Sequence, residues 1–170
     1  MGFENKTNYF HALGEPLDDG LAKGLWVFLN STLVDNSPFV VSSKSDAQPG
    51  NELTLAFDNN IDTFWHTAWD ENAPEYPHEV IIDLGSEYKV NRFYYTPRID
   101  GGNGTITGYE IYVSNAATEF GTAVAKGKWE LNENLKSVTF AVVNGRYIKF
   151  IATSGNGIWA SAAEINIGAD

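Results

Sequence analysis

The feature that most limits the fold of this chain is a period-two alternation of apolar and polar residues, repeated in successive short segments. In "HEVIIDLG" it places Val80, Ile82 and Leu84 on one face, and in "YEIYVS" it pairs Ile111 with Val113. The segments "SVTFAVV" and "RYIKFIATS" repeat it, with inward positions predicted at Val138, Phe140, Val142, Ile148, Phe150 and Ala152. Side chains alternate across the faces of a strand, and glycine-rich turns separate these segments. The sequence therefore predicts an all-β antiparallel sandwich.

The pattern changes near residue 37, which divides the chain into two predicted regions. Residues 37–170 carry the alternation and are predicted to form one domain. Residues 1–36 are predicted to be either leading strands or an extension that ends a neighbouring module. Within them, "PLDDGLAKGLWVFLN" has apolar spacing that suits a helix, but "LWVFL" also suits a strand.

Charge and motif content narrow the classes of function. Eleven basic and 22 acidic residues give a formal net charge of −11, so we expect neither nucleic acid nor membrane lipid as a partner. The chain has no cysteine, signal peptide, nucleophile elbow, phosphate-binding loop or His-Glu-x-x-His motif. We therefore expect no catalytic residues, although a carboxylate pair for glycoside hydrolysis would meet only in the fold.

The segment "DTFWHTAWD" places His66, one of three histidines, between Trp65 and Trp69. Such a cluster is typical of a packed core, and also of a site for a ligand with a polar and an apolar face. Just before it, Asp58, Asn60 and Thr63 offer oxygen atoms at spacings of two and three. That spacing suits a hard cation such as calcium, and it is also the spacing of an ordinary turn.

Five motifs, in order, resemble those of the discoidin, or F5/8 type C, family: "AFDNNIDTFWHTAWD", "PHEVIIDLG", "YYTPRIDGGNGTITGYEIYVS", "GRYIKFIATS" and "WASAAEI". Within that family they are most similar to the family 32 carbohydrate-binding modules and the N-terminal domain of galactose oxidase. The resemblance implies an eight-stranded antiparallel jelly-roll β-sandwich (galactose-binding-domain-like). It also implies a non-catalytic module that recognises galactose or N-acetylgalactosamine at glycan termini.

The resemblance implies a sugar site on the loops at one end of the sandwich, formed by His66, Trp69, Arg98, Asn103 and Trp159. These residue types suit a sugar, because guanidinium, imidazole and amide groups bind hydroxyls and an indole covers a C–H face. In this arrangement Trp65 is expected in the core, while His66 and Trp69 face the ligand.

A structural calcium ion is also implied by the resemblance. Its expected side-chain ligands are Asp58, Asn60, Thr63 and Glu164, and its expected carbonyl ligands are Leu55, Thr63 and Ala163. The family usually has glycine where this chain has Asn59. Asparagine is among the non-glycine residues that most readily adopt a positive φ angle, so the substitution is compatible with such a site.

The resemblance further implies a monomeric module of a larger chain that is extracellular, periplasmic or at the cell surface. A glycan on the acceptor motif Asn103-Gly-Thr would block the sugar site, so a bacterial source is expected. Two other classes remain open. One is a discoidin-type protein- or lipid-interaction domain, and the other is a small glycan-active enzyme, which would use carboxylates near the site such as Asp70 and Asp100.

Overall fold

The computed structural model describes residues 32–71, 73–99 and 102–170. All of them belong to one compact unit, Ser31–Asp170. The alternatives for residues 1–31 therefore lie outside the described residues. The described part of the chain has no helix with the length and apolar character needed to cross a bilayer.

Nine strands and one short 3₁₀ helix, Leu53–Phe57, form the described part of the chain. The strands are β1 (Thr32–Leu33), β2 (Val40–Ser43), β3 (Trp65–His66), β4 (His78–Thr96), β5 (Ile106–Ser114), β6 (Ala125–Lys128), β7 (Lys136–Gly155), β8 (Ser161–Ala162) and β9 (Glu164–Ala169). All pairs between these strands are antiparallel. The prediction of an antiparallel jelly-roll sandwich is confirmed.

Two long strands, β4 and β7, each contribute to both layers of the sandwich. The first part of β4 pairs with β2 and with the end of β7, which also pairs with β5. The second part of β4 pairs with β9 and with the beginning of β7. The register shifts between Asp83 and Tyr88, where Gly85 has a φ of 79° that glycine adopts at little steric cost. One continuous strand thereby passes from one layer to the other.

The core lies between these layers, where the Phe93 and Phe150 rings stack with centroids 4.8 Å apart. The predicted inward faces of β4 and the second part of β7 are confirmed, with no exposed surface at Val80, Ile82, Leu84, Ile148, Phe150 or Ala152. The prediction is wrong at Val142, which is 49% exposed, whereas Val143 packs against the core. The pairing of β4 with β7 is irregular here: Val90 pairs with Val143 and Arg92 with Thr139, so residues 140–142 of β7 are extra and depart from regular alternation.

The sheet begins before residue 37. Strand β1 pairs Thr32 with Ala169 and Leu33 with Gly168. The Val34 N–H group then donates to the Ile167 carbonyl at 2.9 Å. Residues 32–34 therefore extend the sandwich sheet beside β9.

Three parts of the described chain meet at one end of the sandwich: residues 62–70, residues 97–99 with 102–105, and residues 155–161. Strand β3 pairs with β8, which places His66 opposite Ser161. The Ser161 N–H group donates to the Gly104 carbonyl at 2.8 Å, and the Gly104 N–H group donates to the Asn156 carbonyl at 2.9 Å. These main-chain hydrogen bonds join the three parts into one surface.

Candidate functional site

The five residues expected to form a sugar site line one open depression on this surface. Its volume is about 390 Å³, and its lining consists of His66, Trp69, Arg98, Asn103 and Trp159. Each of the three parts of the chain contributes at least one of these side chains. The fold therefore brings together residues that the sequence separates widely.

His66 is almost fully buried, with 2% of its surface exposed. Its Nδ1 atom lies 2.6 Å from the Thr67 carbonyl oxygen. A carbonyl only accepts hydrogen bonds, so in the neutral imidazole Nδ1 carries the proton and Nε2 is the acceptor. The ring meets the Trp69 indole edge-on, with centroids 4.8 Å apart, and lies 6.4 Å from the Trp159 indole. The site therefore holds the imidazole close to both indoles.

The two tryptophans that flank His66 have different environments. Trp65 has no exposed surface and belongs to the core, whereas Trp69 is 46% exposed. The Trp69 N–H group of the main chain donates to Oε1 of Gln48 at 3.2 Å, which ties its segment to the loop after β2. The short segment thus supplies one core residue and two residues of the depression.

Arg98 is stacked on a residue that the sequence reasoning missed, Phe64. The guanidinium carbon lies 4.6 Å from the centroid of the Phe64 ring, and that ring lies 6.5 Å from the His66 ring. A guanidinium stacked on an aromatic face directs its N–H groups along its own plane, which is the geometry in which they bind oxygen acceptors. The sequence could have indicated Phe64, because a spacing of two places Phe64 and His66 on the same side of an extended segment.

Asn103 lies between two glycines with positive φ angles, 81° at Gly102 and 79° at Gly104. A Cβ atom on Gly104 would lie 2.9 Å from Oγ of Ser161, so only glycine permits this close approach. The Ser161 hydroxyl donates to the Asn103 carbonyl at 3.1 Å. Strand β8 therefore holds the main chain that presents the Asn103 amide. Asp100 lies outside the described residues.

The loop expected to bind calcium lies between the 3₁₀ helix and β3. The Asn60 N–H group donates to Oδ1 of Asp58 at 2.9 Å and to Oε1 of Glu164 at 2.8 Å. The Thr63 hydroxyl donates to Oδ2 of Asp58 at 2.7 Å. The four expected side-chain ligands are thus grouped around Asn60. Of the expected carbonyl ligands, Leu55 belongs to the 3₁₀ helix, and Ala163 directly precedes Glu164.

The environment of Glu164 shows whether these residues suit a cation. This residue is 4% exposed, and its Oε2 atom is buried without a hydrogen-bond partner among the described residues. Burial raises the pKa of Glu164, and the nearby Asp58 carboxylate raises it further, whereas the hydrogen bond from the Asn60 N–H group lowers it. The result is a pKa of about 7. A buried carboxylate oxygen without a donor is costly, and a calcium ion would compensate both carboxylates. The residues therefore fit a hard cation.

The donor set is mixed rather than purely acidic. Within the described ranges, no group of three or more His, Cys, Asp or Glu side chains is placed to hold a metal. The expected set has two carboxylates, and the remaining oxygens belong to an amide, a hydroxyl and carbonyls. Asn59 has a φ of 61° and is the one non-glycine residue with a positive φ among the described residues. This matches the expectation for the position where the family usually has glycine.

The fold and the depression define the class of the protein: a jelly-roll sandwich with a small-ligand site on the loops at one end. Residues 40–165 match the family model of the F5/8 type C domain. The chain therefore belongs to the F5/8 type C family, and the resemblance noted in the sequence is confirmed.

Three relatives illustrate the range of this similarity. The chain is 42% identical over 125 residues to galactose oxidase of Gibberella zeae. The matched segment covers 71% of this chain and 18% of that protein. A family 32 carbohydrate-binding module of Clostridium perfringens NanJ, in complex with galactose, has a TM-score of 0.74 and 37% identity, covering 81% of this chain and 98% of that one. A second family 32 module of the same organism, in complex with GalNAc-β-1,3-galactose, has a TM-score of 0.76 and 32% identity. The match covers 80% of this chain and 99% of that module.

Proposed function

We propose that this domain is a non-catalytic carbohydrate-binding module that recognises galactose or N-acetylgalactosamine at glycan termini. The observation that carries the proposal is the convergence of one guanidinium, one imidazole, one amide and two indoles on a single depression. Two similar solved modules were determined in complex with galactose or with GalNAc-β-1,3-galactose, which supports this ligand class. The open depression offers few contacts, so we expect weak binding of a single sugar.

The proposed mode of binding follows from the donors and acceptors of the site. Arg98 donates to two neighbouring hydroxyls, and Nε2 of His66 accepts a hydrogen bond from one of them. Asn103 both donates and accepts, while the Trp159 indole lies against the C–H face of the pyranose ring. Galactose suits this set because its axial O4 leaves a broad apolar face and directs a hydroxyl to the place where imidazole and guanidinium converge.

We propose that the module attaches a larger protein to glycans outside the cytoplasm, at the cell surface, in the periplasm or in the medium. The chain spans 18% of the length of the galactose oxidase that it matches, whereas it covers nearly all of the two solved modules. A separate binding unit within a longer polypeptide is consistent with those proportions. The formal charge of −11 also disfavours partners with phosphate backbones or anionic head groups.

We also propose a structural calcium ion held by Asp58, Asn60, Thr63 and Glu164, with carbonyl oxygens completing the sphere. The support is the buried Oε2 atom of Glu164 beside the Asp58 carboxylate. Because β9 begins at Glu164, the ion would tie the loop before β3 to the last strand of the sheet. Its role is to stabilise the loop that continues into His66.

Calorimetric titration with galactose tests the sugar proposal. We expect binding by the unaltered domain and none by Arg98→Ala, because the substitution leaves two sugar hydroxyls without their donor. Lys128→Ala is the matched control, since it also removes one positive charge but lies on the exposed strand β6. Full binding by Arg98→Ala would contradict the site. Binding to lipid vesicles but not to galactose would instead favour a discoidin-type lipid-interaction domain.

A further inference from the structure

The main chain around Trp159 is held by side chains that lie outside the depression. The Tyr76 hydroxyl donates to the Trp159 carbonyl. His78 donates through Nε2 to the Ile158 carbonyl at 2.8 Å and accepts at Nδ1 from the Ser45 hydroxyl at 2.8 Å. The Tyr76 and His78 rings meet edge-to-face, with centroids 4.6 Å apart. Two adjacent carbonyls of the Trp159 segment are thus anchored from the start of β4.

The following residue, Ala160, is anchored by Thr67, which comes directly after β3. The Thr67 N–H group donates to the Ala160 carbonyl at 2.9 Å, and the Ala160 N–H group donates to the Thr67 hydroxyl at 3.1 Å. Successive residues on both sides of the indole therefore have a fixed main chain.

Two glycines make this arrangement possible. Gly157 has a φ of 82°, and a Cβ atom there would lie 2.7 Å from Cε3 of Trp159, so the indole lies directly on the Gly157 main chain. Gly155 lies beneath the Tyr76 hydroxyl, where a Cβ atom would clash with the phenol. The Nε1 atom of Trp159 is buried without a hydrogen-bond partner among the described residues. The ring is therefore positioned by packing and by its main chain.

We propose that Tyr76 is a positioning residue of the sugar site, which it serves by fixing the main chain of Trp159 and so the plane of the indole. This inference rests on the proposed function of the site. Burial raises the pKa of Tyr76, so the hydroxyl remains a donor throughout the ordinary pH range. An indole held in place before the sugar arrives does not have to be ordered during binding, which favours affinity.

The hydroxyl can be removed with little change in shape by Tyr76→Phe. We expect the dissociation constant for galactose to rise roughly three- to tenfold, the usual effect of one lost hydrogen bond. Gly157→Ala is the second variant, because it displaces the indole and leaves the Tyr76 hydroxyl in place. Tyr112→Phe is the matched control: its hydroxyl donates to Oε2 of Glu110 at 2.5 Å, and it lies roughly 20 Å along β5 from Ile106.

The position of the indole can be measured without any sugar. The tryptophans are labelled as 5-fluorotryptophan, and the ¹⁹F resonance of residue 159 is assigned by its loss in Trp159→Phe. We expect this resonance to shift or broaden in Tyr76→Phe and Gly157→Ala and to stay unchanged in Tyr112→Phe. An unchanged resonance in both site variants would overturn the proposal, even if the sugar affinity fell.

A double-mutant cycle then decides whether Tyr76 acts through Trp159. In the Trp159→Phe background, Tyr76→Phe should weaken galactose binding much less than it does alone, because the two positions are coupled. Equal weakening in both backgrounds would contradict a positioning role. Failure of the unaltered domain to bind galactose would contradict the proposed function, whereas the ¹⁹F result would still decide whether Tyr76 fixes the indole.

Discussion

The guanidinium carbon of Arg98 lies 4.6 Å from the centroid of the Phe64 ring, so an aromatic face supports the main proposed sugar donor. The Phe64 ring also lies 6.5 Å from the His66 ring, so it neighbours both polar groups that are proposed to share a hydroxyl. A guanidinium on a long side chain otherwise loses conformational freedom when it binds. The stacking therefore reduces the entropic cost of binding.

Phe64→Leu should weaken galactose binding about fivefold, because a cation–π contact at a partly exposed site contributes about 1 kcal/mol. Isothermal titration calorimetry measures the change. Phe120→Leu is the control, since Nζ of Lys149 on β7 lies 4.8 Å from the Phe120 centroid in the same type of contact outside the depression. Equal affinities for Phe64→Leu and the unaltered domain would show that the ring does not support Arg98.

Calcium should raise the melting temperature, and chelator should lower it. An ion that binds only the folded state stabilises it by about 2.7 kcal/mol at a free concentration one hundred times its dissociation constant. Glu164→Gln should abolish this calcium-dependent shift by removing the carboxylate that contains the buried Oε2 atom. Asp62→Asn is the control, because Asp62 is an exposed acid of the same loop outside the expected ligand set. Identical melting curves with calcium and with chelator would contradict the calcium proposal.

The fold was predictable because burial on β4 follows the apolar alternation. Val80, Ile82 and Leu84 all point inward, as their spacing of two requires. The prediction failed where geometry departed from the period: Val142 faces solvent because the pairing of β7 with β4 is irregular at residues 140–142. An irregularity of that kind depends on the partner strand and leaves no mark in a single segment.

The family motifs in the sequence predict the residues that line the depression. They do not predict the residues that hold those side chains in place. Tyr76 contacts the carbonyl of Trp159, a pairing across 83 positions that periodicity does not indicate. Gly157 leaves room for the Trp159 indole, and nothing in the sequence around it indicates that contact. These supports follow from packing between loops, which becomes visible only in the fold.

Mild acid should destabilise the domain through His78. This histidine is fully buried, and burial lowers its pKa below 6.5, although the hydrogen bond to the Ile158 carbonyl raises it. Above pH 6.5 both states are neutral at this residue, so its contribution is fully present. As the pH falls below 6.5, the unfolded chain binds a proton that the folded state disfavours, and the free energy of unfolding decreases until the folded pKa is reached.

His78→Gln should reduce this acid-induced decrease in the free energy of unfolding, because glutamine keeps a donor and an acceptor without titrating. Urea denaturation of both proteins between neutral and mildly acidic pH, with chelator present, measures the difference. Glu164 has a raised pKa, so its own contribution to the free energy of unfolding increases as the pH falls in this range. Because Glu164 is present in both proteins, the comparison isolates His78. Parallel pH profiles for the two proteins would exclude His78 as the source.

The last prediction distinguishes a tether from an enzyme: we expect no hydrolysis of aryl galactosides or oligosaccharides at any pH. Glycoside hydrolysis usually requires two carboxyl groups about 5–10 Å apart on either side of the bond. The described residues that line the depression supply imidazole, guanidinium, amide and indole groups, and none of them is an acid. The carboxylates nearest to the motifs in sequence are Asp70, which is exposed, and Asp100. Chromogenic assays compare the unaltered domain with Asp70→Asn and Asp100→Asn, and turnover that disappears in either variant would contradict the binding-module proposal.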